Sequence, residues 1–352
     1  MSVLKSHLYA MSAYTPPLEG RDPQQYLLLD FNERTLPVSE NVQRALIEYI
    51  SSGRMQMYPA YGDIVPRLAE YVGVEPSHLM ITNGSDQGIE LLFRATCSAG
   101  DEVIIPVPSF AMYHQCAKVE NAKIIEPQYT RETGFPVEGV LSVISDRTKI
   151  ICIANPNNPS GVAISRENIL RIAEAAKHAA VLVDECYFEY SQETVVDCLV
   201  SHPNLFITRT FSKTWGMPSL RFGYLMASEA NIQALLTVRG PYDVNQLAVV
   251  AAGAALSEPE VTERYVTEVM RESKPMFEAF LDAQAISYWP SHANFVWLFP
   301  QAPERVEQAL VAAGILVRPK ADFEGRMGLR VTLGTREQTE RLISVLQGVL
   351  AE

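Results

Sequence analysis

From Leu79 to about Ala227, short β-rich runs alternate with helical stretches, and this alternation constrains the fold more than any other feature. The runs are LMIT, EVIIPV, AKIIEP, KIICIA, AVLVDE, LFIT and FGYLMA, with helical spacing at Gln87 to Ala95 and Glu167 to His178 between them. Such a pattern predicts an α/β fold, a mostly parallel sheet covered by helices on both faces. Ligands of open α/β sheets sit just beyond the strand ends, and the polar motifs of this chain fall there.

On either side the texture differs. The first thirty-five residues, with AYTPPLEGRDPQQ, show no periodicity before Tyr26 to Phe31 and read as an ordered arm, residues 1–35. Helical spacing follows at Val42, Leu46, Ile47 and Ile50, with Ser39 as N-cap and an end near Gly53. After Pro241 come a long helical stretch, Thr262 to Gln284, strand-like ISYWP and NFVWLF, a helix from Pro303 to Ala313, strands ILVR and GLRVTL, and a last helix. The expected division is a large domain over 36–240 and a smaller α+β domain over 241–352. At 352 residues and 47% hydrophobic composition, the chain can bury both cores.

Charge and cysteine usage narrow the partners. A net charge of -12 with no basic stripe argues against nucleic acid and for a small molecule. The five scattered cysteines form no C-x-x-C pair and no zinc spacing, so no metal is expected and a reduced compartment fits. MSVLKSHLYAMSAYTPP lacks an uninterrupted apolar core, and no later run reaches the eighteen or so apolar residues of a membrane span. The expectation is a cytoplasmic protein.

The chemistry concentrates in RTFSKTWGMPSLRFGY, residues 209 to 224. Lys213 can condense with an aldehyde, while Thr210, Ser212 and Arg221 can bind a phosphate, the requirements of pyridoxal phosphate. In NGSDQGIELLF, Gly84, Ser85 and Asp86 open a helix whose free amides suit a phosphate, with Ser85 as cap; the segment also reads as a plain capped helix. Phe110, in PVPSFAMY, can stack on a planar cofactor or sit in the core. Asn158, in ANPNNPSG, can donate to a phenolate oxygen or close a turn. Asp184 and Glu185 end an apolar strand, where ionised carboxylates are costly unless paired. A pyridinium nitrogen would pair with Asp184, and Tyr187 lies within reach of the ring oxygen; a solvated strand end is the alternative.

Taken in order, GSD, PSF, NPNNPSG, DECY and SK with Arg eight residues later, the chain resembles the fold-type I aminotransferases of classes I and II over nearly its whole length. Within them it is similar to the histidinol-phosphate aminotransferase branch, on YTPPLEGR, DFNE, YPAYG, NGSDQ, PNNPSG, RTFSKTWG and GLRVTLGTRE. The resemblance implies Lys213 as Schiff-base lysine and proton shuttle, with Asp184 on the pyridine nitrogen. It implies Asn158 and Tyr187 on the ring oxygen and Phe110 stacked on the ring. Around the cofactor phosphate it places Gly84, Ser85, Asp86, Thr210, Ser212 and Arg221, joined by Tyr58 from a neighbouring subunit, hence a homodimer. Arg330 would hold the anionic group of an amino donor or a 2-oxo acid acceptor, with Tyr14 and Asn32 beside the substrate.

Arg34 departs from the family's Asn-Glu-Asn-Pro segment; it could favour a diacid or phosphate, or pair with Glu40. Trp215, Met217 and Pro218 replace smaller residues. An aromatic amino-acid aminotransferase, with Tyr14, Tyr113, Tyr242 and Phe323 available as pocket walls, and a threonine-phosphate decarboxylase share the same implied site. A non-catalytic cofactor-binding sensor is disfavoured, since no basic helix-turn-helix segment precedes residue 35. A dinucleotide enzyme is disfavoured because G-x-G-x-x-G is absent.

Overall fold

The seven apolar runs assemble into one seven-stranded sheet in this computed structural model, which describes residues 3–351. Across the sheet the strands are Leu79–Asn83, Phe222–Ala227, Leu205–Thr210, Ala180–Asp184, Thr148–Ala154, Glu102–Ile104 and Lys123–Ile125. All neighbours are parallel except those of Phe222–Ala227, which runs against both of its partners. Alternation along each strand feeds two cores: Ile151, Ile153, Val181 and Val183 face one layer of helices, and Ile150, Cys152 and Leu182 face the other. The helix Glu40–Ser51 starts as its sequence predicts, with the Ser39 hydroxyl accepting from the Val42 amide at 3.2 Å.

The packing does not change where the composition does. Helix Gln246–Leu256, which the sequence reading assigns to the second domain, packs on Glu40–Ser51 and Ile64–Val72, and Ala248, Ala251, Ala252 and Ala255 are buried in the large sheet's core. A helix of alanines and valines with no polar face must be covered on all sides, and the large domain covers it. The expected helix from Thr262 to Gln284 runs from Pro259 to Ala283 and contains a π turn at Val269–Ser273. Pro275, just beyond, cannot donate to the preceding turn, and the wider turn accommodates that gap.

The second domain has a four-stranded antiparallel sheet in the order Arg318–Ala321, Met327–Thr332, Phe295–Phe299, Ser287–Tyr288, with its own core around Phe277, Phe295, Val331 and Leu342. The expected strand ILVR is divided. Ile315–Leu316 pairs in parallel with Leu27–Leu28 of the arm, and a separate strand begins at Arg318. The arm is thereby fixed to this domain before Asp30 to Glu33 enter the cleft between the two sheets. Arg21 holds that entry by pairing with Asp30 at 2.8 Å and with Glu33. Among the described residues no helix is long and apolar enough to cross a membrane.

Candidate active site

Strand Ala180–Asp184 ends in a carboxylate that is 5% exposed, at the floor of a cavity also lined by Ser85, Phe110, Asn158, Tyr187, Lys213 and Arg221. The Asp184 oxygens accept from the Tyr113 hydroxyl at 2.6 Å and the Thr208 hydroxyl at 3.0 Å. Burial pushes the carboxyl above its usual range, against the hydrogen bonds from Tyr113 and Thr208 that favour the ionised form. A cation meeting Asp184 from the cavity would tip this balance toward the carboxylate. Glu185 turns the other way and accepts from Arg209 at 2.9 Å, Thr194 at 2.9 Å and the Val195 amide at 3.2 Å.

One end of the cavity is a cup for an anion. Helix Gly84–Thr96 opens there, with Gly84 at φ 74°. A side chain at Gly84 would overlap the Arg221 guanidinium, and one at Gly223 would strike the helix backbone at Ser85, 2.5 Å away. These two glycines bring the amide-rich helix end, the guanidinium and the strand together. Arg221 is itself left-handed at φ 57° and donates to Asp86 at 3.0 Å and Ser212 at 3.3 Å, while Thr210 donates to Ser212 at 3.0 Å. Ser85 does not cap the helix as expected. Asn83 holds the cap position, and the Ser85 hydroxyl accepts from the Cys186 thiol at 3.3 Å. A slot with a hydroxyl, amide and guanidinium cup at one end and a buried carboxylate among its walls fits pyridoxal phosphate.

Lys213 reaches into the same cavity, its amine donating to the Phe31 carbonyl at 2.8 Å. Burial, reinforced by the Arg330 cation, lowers the ammonium to about 8. The loop that carries it is clamped from behind by residues that sequence reasoning missed. Buried Glu189 accepts from the Thr214 hydroxyl at 3.0 Å and the Trp215 indole at 3.1 Å. Trp215, which reads as plain bulk in the sequence, is thus half of this clamp. Arg34 completes it: the guanidinium lies over the Tyr265 ring at 4.7 Å and donates to the Thr214 carbonyl at 3.3 Å. Arg34 therefore neither lines the substrate cleft nor pairs with Glu40, because its side chain follows the back of the lysine loop against Gly216.

Outside the slot a second cleft opens, lined by Tyr14, Phe31, Phe110, Asn158, Lys213, Arg318, Lys320 and Arg330. Arg330 is 5% exposed, and it donates to the Asn158 side-chain oxygen at 2.5 Å and to the Asp30 carbonyl at 2.6 Å. Its Nε has no partner. Burial pulls this guanidinium below its ordinary range. Arg318 and Lys320 are not among the residues that the sequence motifs single out; Arg-x-Lys on a short strand is the signal that could have found them, since alternation puts both on one face. Asn32, expected beside the substrate, instead donates to the Tyr187 hydroxyl at 2.9 Å and accepts from Thr332 at 3.2 Å, so it orients Tyr187. Tyr58 is 77% exposed and stacked on Tyr242, away from its own chain's cavity.

The model of the aminotransferase class I and II family matches residues 24–346. This chain belongs to the class I and II aminotransferases. It is an enzyme of that family, and its cofactor is pyridoxal phosphate. The aminotransferase is 33% identical over 332 residues to a histidinol-phosphate aminotransferase of Thermoanaerobacter sp. (strain X514), covering 93% of this chain and 94% of the relative. Its fold matches the histidinol-phosphate aminotransferase of Sinorhizobium meliloti, solved in complex with pyridoxal-5'-phosphate. There the TM-score is 0.88 at 20% identity, covering 100% of this chain and 98% of the other. The L-threonine-O-3-phosphate decarboxylase of Porphyromonas gingivalis has the same fold, with TM-score 0.79 at 21% identity over 93% of this chain and 100% of the other.

Proposed function

We propose that this aminotransferase exchanges an amino group between histidinol phosphate and 2-oxoglutarate, as a homodimer in the cytoplasm. The observation that carries the substrate is the outer cleft, whose lining among the described residues includes Arg318, Lys320 and Arg330 and no carboxylate. Arg318 lies directly opposite Arg330 across two antiparallel strands, an arrangement of like charges that disfavours the free protein and suits a bound anion. The relatives named for histidinol phosphate point the same way.

The roles follow from the atoms left free. Bound cofactor supplies an electrophilic aldehyde carbon and a protonated ring that accepts electrons from the substrate's α-carbon. Asp184 would keep the proton on the ring nitrogen. The Asn158 amide, whose oxygen is occupied by Arg330, and the Tyr187 hydroxyl, whose oxygen accepts from Asn32, each have a hydrogen to give to the ring oxygen. Phe110 would cover the ring, and Gly84, Ser85, Asp86, Thr210, Ser212 and Arg221 would hold the phosphate. Lys213 removes the α-proton and returns it on the other side of the transfer, so the two substrates react in turn and the kinetics are ping-pong. Ile47, Ile50, Met55, Met57 and Tyr58 are all exposed apolar residues close together in sequence, a stretch that a second subunit would cover while Tyr58 reached that subunit's phosphate cup.

An aromatic substrate finds little support. Tyr113 is committed to Asp184, Tyr242 is stacked on Tyr58, and Phe323 is exposed, so three of its four candidate walls are absent from the cleft. The test is a half-reaction, in which the loaded enzyme is mixed separately with histidinol phosphate, phenylalanine and O-phosphothreonine while its visible absorption and products are followed. Histidinol phosphate should react fastest; preference for phenylalanine, or carbon dioxide from phosphothreonine, would overturn the reading.

Loading of the cofactor offers a pH test. Only the neutral Lys213 amine attacks an aldehyde, so covalent uptake by cofactor-free enzyme should rise with pH and level off above about 8. Arg330→Gln removes a cation that disfavours the ammonium and should shift that profile to higher pH. Identical profiles in the two proteins would mean that Arg330 does not act on Lys213.

A further inference from the structure

Lys213, Arg318, Lys320 and Arg330 converge on the outer cleft. Among the described residues no carboxylate lies within ion-pair distance of any of the four, in a protein with 41 acidic and 29 basic residues. Partly buried cations without counter-ions are costly, and the buried Arg330 Nε without a partner is the plainest sign that a ligand group is expected. One guanidinium fork satisfies a carboxylate, which has two oxygens and a single charge. A phosphate monoester has three free oxygens and close to two charges at neutral pH, and asks for more.

We propose that Lys320 is a specificity-determining residue, the third cation that selects a phosphate monoester over a carboxylate at the anion site formed by Arg318 and Arg330. This rests on the reading of the substrate as a phosphorylated amine and identifies what in the chain enforces it. The position follows from the strand: Arg318 and Lys320 are two residues apart and share a face, and register places Arg318 opposite Arg330 and Lys320 opposite Gly328. Gly328 has no side chain to cover the lysine from that strand. The Trp297 indole donates to the Lys320 carbonyl at 3.3 Å and fixes the backbone below it. Charged or titratable groups facing the ammonium are Arg318 on its own strand, Arg330 on the next, Lys213 across the cleft and Tyr14 from the arm. Burial, then Arg330 and Arg318, lower it to about 8, so it holds its charge at neutral pH and loses it in mildly alkaline solution.

The test measures steady-state kinetics of the cofactor-loaded wild type, Lys320→Gln and Lys320→Arg with histidinol phosphate, histidinol and glutamate. Loss of one charge-assisted contact predicts a KM for histidinol phosphate raised roughly 10- to 100-fold in Lys320→Gln, against less than about threefold for glutamate, with most of the loss restored in Lys320→Arg. The wild-type KM for histidinol phosphate should also rise above about pH 8 and that of Lys320→Gln should not. Equal losses on all substrates, or none, would overturn the role of Lys320. If wild type uses histidinol as well as histidinol phosphate, the substrate reading fails instead. Competitive inhibition by inorganic phosphate against glutamate then decides Lys320 separately: inhibition weakened in Lys320→Gln supports it, and inhibition unchanged overturns it.

Discussion

Lys213→Ala is expected to lower kcat by about 10⁴-fold or more, because in the proposed mechanism Lys213 is both the group that anchors the cofactor and the base that moves the α-proton. The protein should nevertheless fold. The amine is partly buried beside the Arg330 cation, and both conditions disfavour its charge, so the alanine variant without cofactor should melt no lower than wild type. It should also still bind pyridoxal phosphate, more weakly, through the cup of the Gly84 helix end, Ser212, Thr210 and Arg221, which the substitution does not touch. Spectroscopic titration with cofactor, melting curves and single-turnover kinetics separate these outcomes. Multiple turnover retained at near the wild-type rate would remove Lys213 from the chemistry and reduce it to a buried cation.

The apolar strands were legible because each is a short, continuous run that can serve only a doubly covered sheet, as Ile150 to Ile153 does by sending alternate side chains into two cores. Lys213 drew attention through the hydroxyls beside it and the arginine eight positions on, and Asp184 through its place at the end of an apolar strand, where a solvated strand end was the alternative reading. The clamp behind Lys213 was not legible. Glu189 meets Thr214 and Trp215 from 25 and 26 positions away, and nothing local to any of the three announces the contact. Arg34 misled because its neighbours in sequence border the substrate cleft, whereas the cation–π contact with Tyr265 turns its side chain away. Helix Gln246–Leu256 follows the change of texture yet fills the large sheet's core, because composition marks where the texture changes and packing decides which core an apolar helix fills. Arg318 and Lys320 became visible only with register: the sequence shows Arg330 in a strand but not which residues stand opposite it.

Arg330→Ala should reduce kcat/KM for both the amino donor and the 2-oxo acid by about 2 to 5 kcal/mol, the usual consequence of leaving one member of a buried, hydrogen-bonded charge pair unpartnered. Both half-reactions should suffer, because in the proposed function each substrate presents its anion to the same fork. Arg330→Lys should recover part of the loss, since it restores charge but not the planar pair of donors. The variant also tests the coupling inside the site. Arg330 donates to the Asn158 oxygen at 2.5 Å, which leaves the amide hydrogens of Asn158 for the cofactor's ring oxygen, and its charge lowers the Lys213 ammonium. Losing it should therefore shift the visible absorption of the loaded enzyme and the pH dependence of kcat, besides weakening substrate. A guanidinium that only braced the two domains, through Asp30 and Asn158, would change melting temperature and leave glutamate's KM and the spectrum where they were. Those two readouts decide whether the most deeply buried cation of the cleft binds the substrate or merely supports the wall.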